Sequence, residues 1–418
     1  MKKPVRDHAH SFRWALRLIA ALGLAICSAV GMAEYSVQTV NLPTTSAELP
    51  HTVTVALPDG YEDYPSRNYV TVYLLDAQDP TIFSFVKSAF ENLNATGYIQ
   101  PVILVGISTQ ARQFDFTPQA QTEKGKKDFR KSGGAEAYFR YIRDDVVATI
   151  ESKFRCEPFR VCFGHSLGAT FVTHTLLTHP GFFRAGIAIS PNLVYDEAQL
   201  LRRVKEPQAT KLFGNAFLYL ANGKSDHLEE KFRPRTEEFA KYLSEHRPAG
   251  FRFIYKKLDN DYHGSTNLEG YPKGIVSLFE NLTVPANDID KYLKMPPDKM
   301  LSDLRSHYKQ ASDWSGLKLP MVWDLNNWAY NSFYSNKPKA ALSLLETATK
   351  TFGMDINIFD SAADIAMQTG DLPLAKKYTE QGLQVIESQR GSLSAKTYEG
   401  FHKSFSDRLQ EIQKKRGS

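Results

Sequence analysis

The chain has 418 residues, 51 Lys and Arg against 46 Asp and Glu, a formal net charge of +5, and 42% apolar residues. Its length exceeds what one core ordinarily holds, so two domains are expected. Most of the positive excess lies in the first 33 residues; the remaining 385, at net +1, carry no dominant Lys/Arg block, which speaks against nucleic acid or an anionic membrane surface as a partner.

At the N-terminus Lys2, Lys3, Arg6, Arg13 and Arg17 precede an apolar run over residues 18–30 that closes with small residues, Gly31 and Ala33 among them. This order is that of a secretory signal peptide. The run is shorter than the roughly 20 residues a membrane span needs. Cleavage before Glu34, a periplasmic or secreted product and no integral membrane span are therefore expected. Two cysteines remain, Cys156 and Cys162. They are read either as a disulfide or as two small apolar side chains, and neither has zinc-type spacing with a histidine.

From residue 52 onward, short β-rich runs alternate with helical stretches: "TVTVALP", "YVTVYLLDA", "VILVGIS", "RVCFGHS", "AGIAIS", "FLYLANG" and "FRFIYKKL". Such alternation predicts an α/β fold, a mainly parallel sheet with helices on both faces. Between the third and fourth runs, Tyr138, Tyr141, Ile142, Val146 and Ile150 fall on one helical stripe. After residue 290 the β-rich runs stop. Two segments of the tail then align at an offset of 34, pairing Leu325 with Phe359, Ala329 with Ala363, Asn336 with Gly370 and Ala341 with Ala375. That period is the one of a tetratricopeptide-like (TPR-like) helix pair. The predicted organisation is a signal segment over 1–33, an α/β domain over 34–290 and a small all-α TPR-like domain over 291–418. Two units are fewer than a free solenoid needs, so the tail is expected to lean on the α/β domain, on a protein partner or on a second copy of the chain.

Within "RVCFGHSLGAT", Ser166 stands between Gly164 and Gly168 at the junction of a predicted strand and a predicted helix. In a G-x-S-x-G elbow the glycines let the chain fold back sharply and push the serine out at the tip. A serine nucleophile needs a base, an acid that orients the base, and donors for the oxyanion. Of the nine histidines beyond residue 33, His263 lies in a polar loop just after the last predicted strand and is assigned as the base. "FLYLANGKSDHLEE" runs off the preceding strand and offers Asp226, Glu229 and Glu230. Asp226, nearest the strand end, is the first choice of acid and Glu230 the alternative. The oxyanion hole is assigned to the backbone N–H of Leu167 and to that of Ala77 or Gln78, in the loop after "VTVYLLDAQD". Arg112 and Asp115 are expected to pair at the rim, and residues 124–131 to form a solvated, Lys-rich loop. No metal ion and no cofactor is expected.

These residues resemble the family named Putative esterase, α/β-hydrolases that include siderophore trilactone esterases, S-formylglutathione hydrolases, feruloyl esterases and mycolyltransferases. Over residues 36–283, "LPDGY", "YLLDA", "RQFDFTP", "GGAEAYF", "GHSLGA" and the late "YHGS" carry the resemblance, and the siderophore-esterase-like branch is the most similar. The resemblance implies an α/β-hydrolase fold and a Ser, acid, His hydrolase that cleaves carboxylic or thioesters, with a small-molecule ester as substrate. The sequence departs from many relatives at Ala77 and Ala169, where glycine is frequent. Two alternatives stay open: an acyltransferase using the same residues, and a non-catalytic scaffold that binds through its helical tail.

Overall fold

The computed structural model describes residues 34 to 417, apart from 45, 47, 66, 286, 287 and 320; the expected signal segment lies outside the described residues. The seven β-rich runs form β2 (Thr52–Leu57), β3 (Tyr69–Leu74), β4 (Val102–Gly106), β5 (Cys156–His165), β6 (Ala185–Ile189), β7 (Phe217–Asn222) and β8 (Arg252–Lys257). An additional edge strand, β1 (Ser36–Asn41), precedes them and is mostly exposed. The sheet order is β1-β2-β4-β3-β5-β6-β7-β8. Pairing is antiparallel for β1 with β2 and β2 with β4, and parallel from there on.

Strands β3, β4, β6 and β7 are buried at every residue, as strands covered on both faces must be. Their alternation sorts the core into two clusters. Tyr73, Cys162 and Leu218 join one, with Tyr138 and Phe171; Val72, Phe163 and Tyr219 join the other, with Phe90 and Leu278. Neighbours along one strand thus face opposite helix layers. The five stripe residues from Tyr138 to Ile150 are all buried. Their helix widens to a π turn over Ile142–Val147 between the α-helices Ala135–Tyr141 and Ala148–Lys153.

Cys156 and Cys162 are free thiols. Both lie on β5, where six residues at about 3.3 Å each hold their Cα atoms roughly 20 Å apart, far beyond the reach of a disulfide. Burial raises both thiols above the ordinary range, Cys156 to about 11. Packing, not redox chemistry, explains them.

Beyond β8 and the helix Thr266–Phe279 the described chain is helical. The helices Val322–Tyr334 and Pro338–Thr351 are followed, 34 residues further on, by Ile356–Gln368 and Leu372–Ser388. Asn336 and Gly370, at equivalent turns, both adopt positive φ (59° and 79°), a conformation that asparagine and glycine tolerate best. Leu325, Trp328, Leu345 and Phe359 lie in the core of this region. It rests on the α/β part: Trp314 Nε1 donates to Gly250 O (3.0 Å), Asn327 Nδ2 to Gly97 O (3.3 Å) and Thr397 Oγ1 to Asp63 O (2.9 Å). Among the described residues no helix is long and apolar enough to cross a membrane.

Candidate active site

β5 ends at His165 and the helix Leu167–Thr178 begins one residue after Ser166. Ser166 takes up the whole change of direction at φ 58°, ψ −117°, a strained conformation for a residue with a Cβ. Gly164 permits the fold-back because strand and helix backbones touch there: a Cβ on Gly164 would lie 2.3 Å from Gly168 C. Main chain cannot swing aside as a flexible side chain does. Gly164→Ala is therefore expected to destabilise the fold at or above the top of the ~1–3 kcal/mol range for overpacking. Thermal denaturation of the purified variant measures it; an unchanged melting temperature would contradict the close approach.

The backbone around the serine supplies donors. Ser166 N–H is spent on Ile189 O (2.9 Å), whereas Leu167 N–H belongs to the first helical turn, whose donors have no intrahelical acceptor. In the loop after β3, Ala77 N–H donates to Ile107 O (3.1 Å), which removes Ala77 from the two candidates for the second oxyanion donor. Gln78 is left, its N–H without an acceptor among the described hydrogen bonds. Its side chain is fixed from both ends, Nε2 donating to Asp76 Oδ1 (3.0 Å) and Oε1 accepting from Thr109 N (3.1 Å).

The expected Arg112–Asp115 pair is replaced by another. Arg112 holds Asp76 in a bidentate bridge, Nε to Oδ1 at 2.7 Å and Nη2 to Oδ2 at 2.9 Å, and donates also to His165 O at 2.9 Å. Asp115 is buried and accepts from the Thr109 hydroxyl. The guanidinium thus ties the loop after β3 to the residue before Ser166, with the geometry that a planar fork gives. The Lys-rich residues 124–131 are mostly exposed, as expected of a solvated segment, but part of them is helical rather than loop. Glu123–Asp128 is a short helix capped by Thr122, whose N–H and hydroxyl are held by buried Asp196 at 3.0 and 2.6 Å.

His263 lies in the loop after β8, its Nδ1 2.6 Å from Glu229 Oε1. Glu229, fully buried, is the carboxylate that meets the imidazole, so the first-choice acid Asp226 and the alternative Glu230 are both corrected. The physical reason is where the next helix begins. Asp226 is the N-cap of His227–Glu245: its Oδ1 accepts from Leu228 N and Glu229 N (2.9 Å each), and its Oδ2 accepts His263 N–H (2.7 Å). Glu229, in the first turn, points back at the His263 loop, and Glu230, about 100° further round, is exposed.

Burial alone would push the Glu229 carboxyl up. Interactions with His263, the Ser190 hydroxyl and the Asn222 amide outweigh it and hold the group below the usual carboxylate range. Asn222 Nδ2 donates to Glu229 Oε2 at 3.0 Å. His165 packs beside His263 with ring centroids 4.7 Å apart and its Nε2 2.9 Å from His263 O. Burial, with His263 adding to it, pushes His165 down to about 4, so it stays neutral near pH 7. Ser166 and His263 are brought to the same end of the sheet through this contact. Among the described hydrogen bonds none joins Ser166 Oγ to the imidazole. The described residues contain no cluster of His, Cys, Asp and Glu that would hold a metal ion.

Comparison with known proteins follows the same lines. The family model described as Putative esterase matches residues 44–263. Over 154 residues the chain is 34% identical to a protein of Bacillus subtilis named ferri-bacillibactin esterase BesA; the match takes in 33% of this chain and 53%, about half, of that relative. Among solved structures, an IroE-like serine hydrolase from Shewanella oneidensis superposes with a TM-score of 0.60 at 23% identity, over 76% of this chain and all of the other. An uncharacterised protein from Capnocytophaga ochracea gives 0.55 at 14% identity, over 82% of this chain and 93% of the other. At those identities the two structures establish the fold, that of an α/β-hydrolase.

Proposed function

Because the chain belongs to the Putative esterase family, we propose that it is an exported serine hydrolase of carboxylic or thioesters, working through an acyl-enzyme on Ser166. In this reading Ser166 Oγ attacks the ester carbonyl carbon while His263 Nε2 takes its proton. The carbonyl electrons move onto the oxygen, which accepts from the N–H groups of Leu167 and Gln78. The tetrahedral adduct collapses, the C–O bond to the leaving group breaks, and the imidazolium returns the proton to the departing alcohol. Water then repeats the sequence on the acyl-enzyme and releases the acid. Glu229 keeps the His263 proton on Nδ1 and stabilises the imidazolium that forms in each half.

The observation that supports this reading most directly is the 2.6 Å contact between His263 Nδ1 and a fully buried, ionised Glu229. A carboxylate is costly to bury unless paired, and here its partner is an imidazole that packs against His165, the residue before the strained Ser166. The name of the B. subtilis relative, a ferri-bacillibactin esterase, points to an ester that carries iron, and we take esters of that kind as the first to try. The test is hydrolysis of a p-nitrophenyl ester series, acetate to dodecanoate, and of a siderophore lactone by the chain from Glu34 onward, together with labelling by a fluorophosphonate. Turnover and labelling are expected. No labelling and no turnover on any ester would refute the reading and favour a non-catalytic role.

A further inference from the structure

A cavity of about 750 Å³ lies away from Ser166, between the α/β part and the helical region. On one side its lining comes from the N-terminal ends of β3 and β4, including Arg67, Asn68 and Gln100; on the other it includes Trp323, Asn326 and Asp355. The loop carrying Gln78 leaves the opposite end of β3. Across the six residues of that strand the two places are about 20 Å apart. Nothing in the proposed hydrolysis uses this cavity.

Its chemistry is unbalanced in one respect. Arg67 lies between two aromatic rings, its guanidinium carbon 5.1 Å from the Trp323 centroid and 5.3 Å from that of Tyr69. Among the described residues its guanidinium has neither an ion pair nor a hydrogen bond. Burial also pulls its pKa below the ordinary arginine value. None of the five carboxylates lining the cavity lies within ion-pair distance of this charge: Asp63 meets Lys396 (3.2 Å), Asp360 meets Arg408 (2.8 Å), Asp355 caps the helix Ile356–Gln368 through Ile358 N, Asp59 accepts from Gly60 N (3.0 Å), and Glu157 makes no ion pair among the described residues.

Two further groups lining the same cavity are unsatisfied. Gln100 Nε2 is a buried donor without an acceptor and Asn326 Oδ1 a buried acceptor without a donor. A half-buried cation without a direct ion-pair partner, and buried amide atoms without partners, each cost free energy that a matching ligand would recover. Water entering the cavity hydrates an amide but brings no opposite charge.

The geometry points to a second ligand site in this cavity for a small organic carboxylate that also carries a hydrogen-bond donor. Its carboxylate would sit on Arg67 and Gln100, in the planar, forked arrangement that guanidinium and carboxylate share. Its donor would meet Asn326 Oδ1. The rings of Tyr69 and Trp323 hold the guanidinium in place by cation–π attraction. Because Trp323 and Asn326 belong to the helical region and Arg67 and Gln100 to the α/β part, such a ligand would bridge the two.

The test is the melting temperature of the chain from Glu34 onward, at constant ionic strength set with sodium chloride. The probes are glycylglycine, succinate, citrate and inorganic phosphate, applied to the wild type and to Arg67→Gln, Trp323→Leu and Gln100→Leu. At least one organic carboxylate is expected to raise the wild-type melting temperature by about 3 °C or more near saturation. Its affinity should fall by about tenfold or more in Arg67→Gln and measurably in the other two. Since Gln100 and Trp323 lie on different elements from Arg67, the reading survives if one variant fails to fold. Stabilisation by phosphate alone, stabilisation that persists undiminished in the variants, or none from any probe would each overturn the proposal.

Discussion

Ser166→Ala is expected to lower kcat for p-nitrophenyl ester hydrolysis by about 10⁴- to 10⁶-fold, the scale on which loss of a serine nucleophile acts in other hydrolases. The melting temperature should not fall. Removing the hydroxyl leaves backbone hydrogen bonds intact, since Ser166 N–H still donates to Ile189 O and Ser166 O still accepts from Thr170 N. Alanine also has to occupy φ 58°, so the strain is conserved along with the turn. Residual hydrolysis would report what the oxyanion donors and binding achieve alone. A variant retaining more than a few per cent of wild-type turnover would show that the elbow is a packing device.

The second large effect distinguishes two carboxylates three residues apart. Glu229→Gln keeps the shape and the contact but removes the charge that fixes the His263 tautomer, and kcat is expected to fall by about 10³- to 10⁴-fold. Asp226→Asn should cost far less, of the order of tenfold, because an amide oxygen can still accept from the helix N–H groups. Its effect would come through a looser His263 backbone. Glu230→Ala, at an exposed position, should leave kcat within twofold. Steady-state kinetics of the three variants decide the matter, and equal losses in Asp226→Asn and Glu229→Gln would contradict the assignment of roles.

That contrast also shows what could be read from residues alone. Strands β3, β4, β6 and β7 were legible because burial on both faces forces consecutive apolar residues, as in "VILVG" of β4, whereas β8, at the far edge of the sheet, was marked by its alternating aromatic and β-branched residues. β1 carries no such run; its "SVQTVN" is exposed at five of six positions and pairs only through its backbone. Ser166 was singled out by the strand end and the glycines flanking it and His263 by its loop after the last strand, and the structure brings both to the same end of the sheet. The acid was not legible, for proximity to the strand favours Asp226 whereas geometry favours Glu229. One signal was present: Asp226 followed three residues later by Glu229 has the spacing of a capping box, which assigns the aspartate to the helix N-terminus. Ala77 and Gln78 were indistinguishable in sequence, since only the pairing of Ala77 N–H with Ile107 O separates them. Arg112 was singled out correctly as charged and near the site, but its partner Asp76 lies 36 residues away and becomes its neighbour only through the fold.

The loops after β7 and β8 are joined to each other by several hydrogen bonds. Lys224 N–H and Ser225 N–H both donate to Asp261 O (2.9 and 3.0 Å), His263 N–H donates to Asp226, and Gly223 approaches Asp261 O so closely that a Cβ would lie 2.4 Å from it. Glu229 and His263, the acid and base of the proposed mechanism, are thus carried on one unit made of two stretches of chain. For anyone exchanging loops between such enzymes, this pair transplants only together: a graft of either alone would lose the clasp that aligns Glu229 with His263. The short helix Glu123–Asp128 lies outside that clasp, and there insertions and swaps can vary without disturbing it.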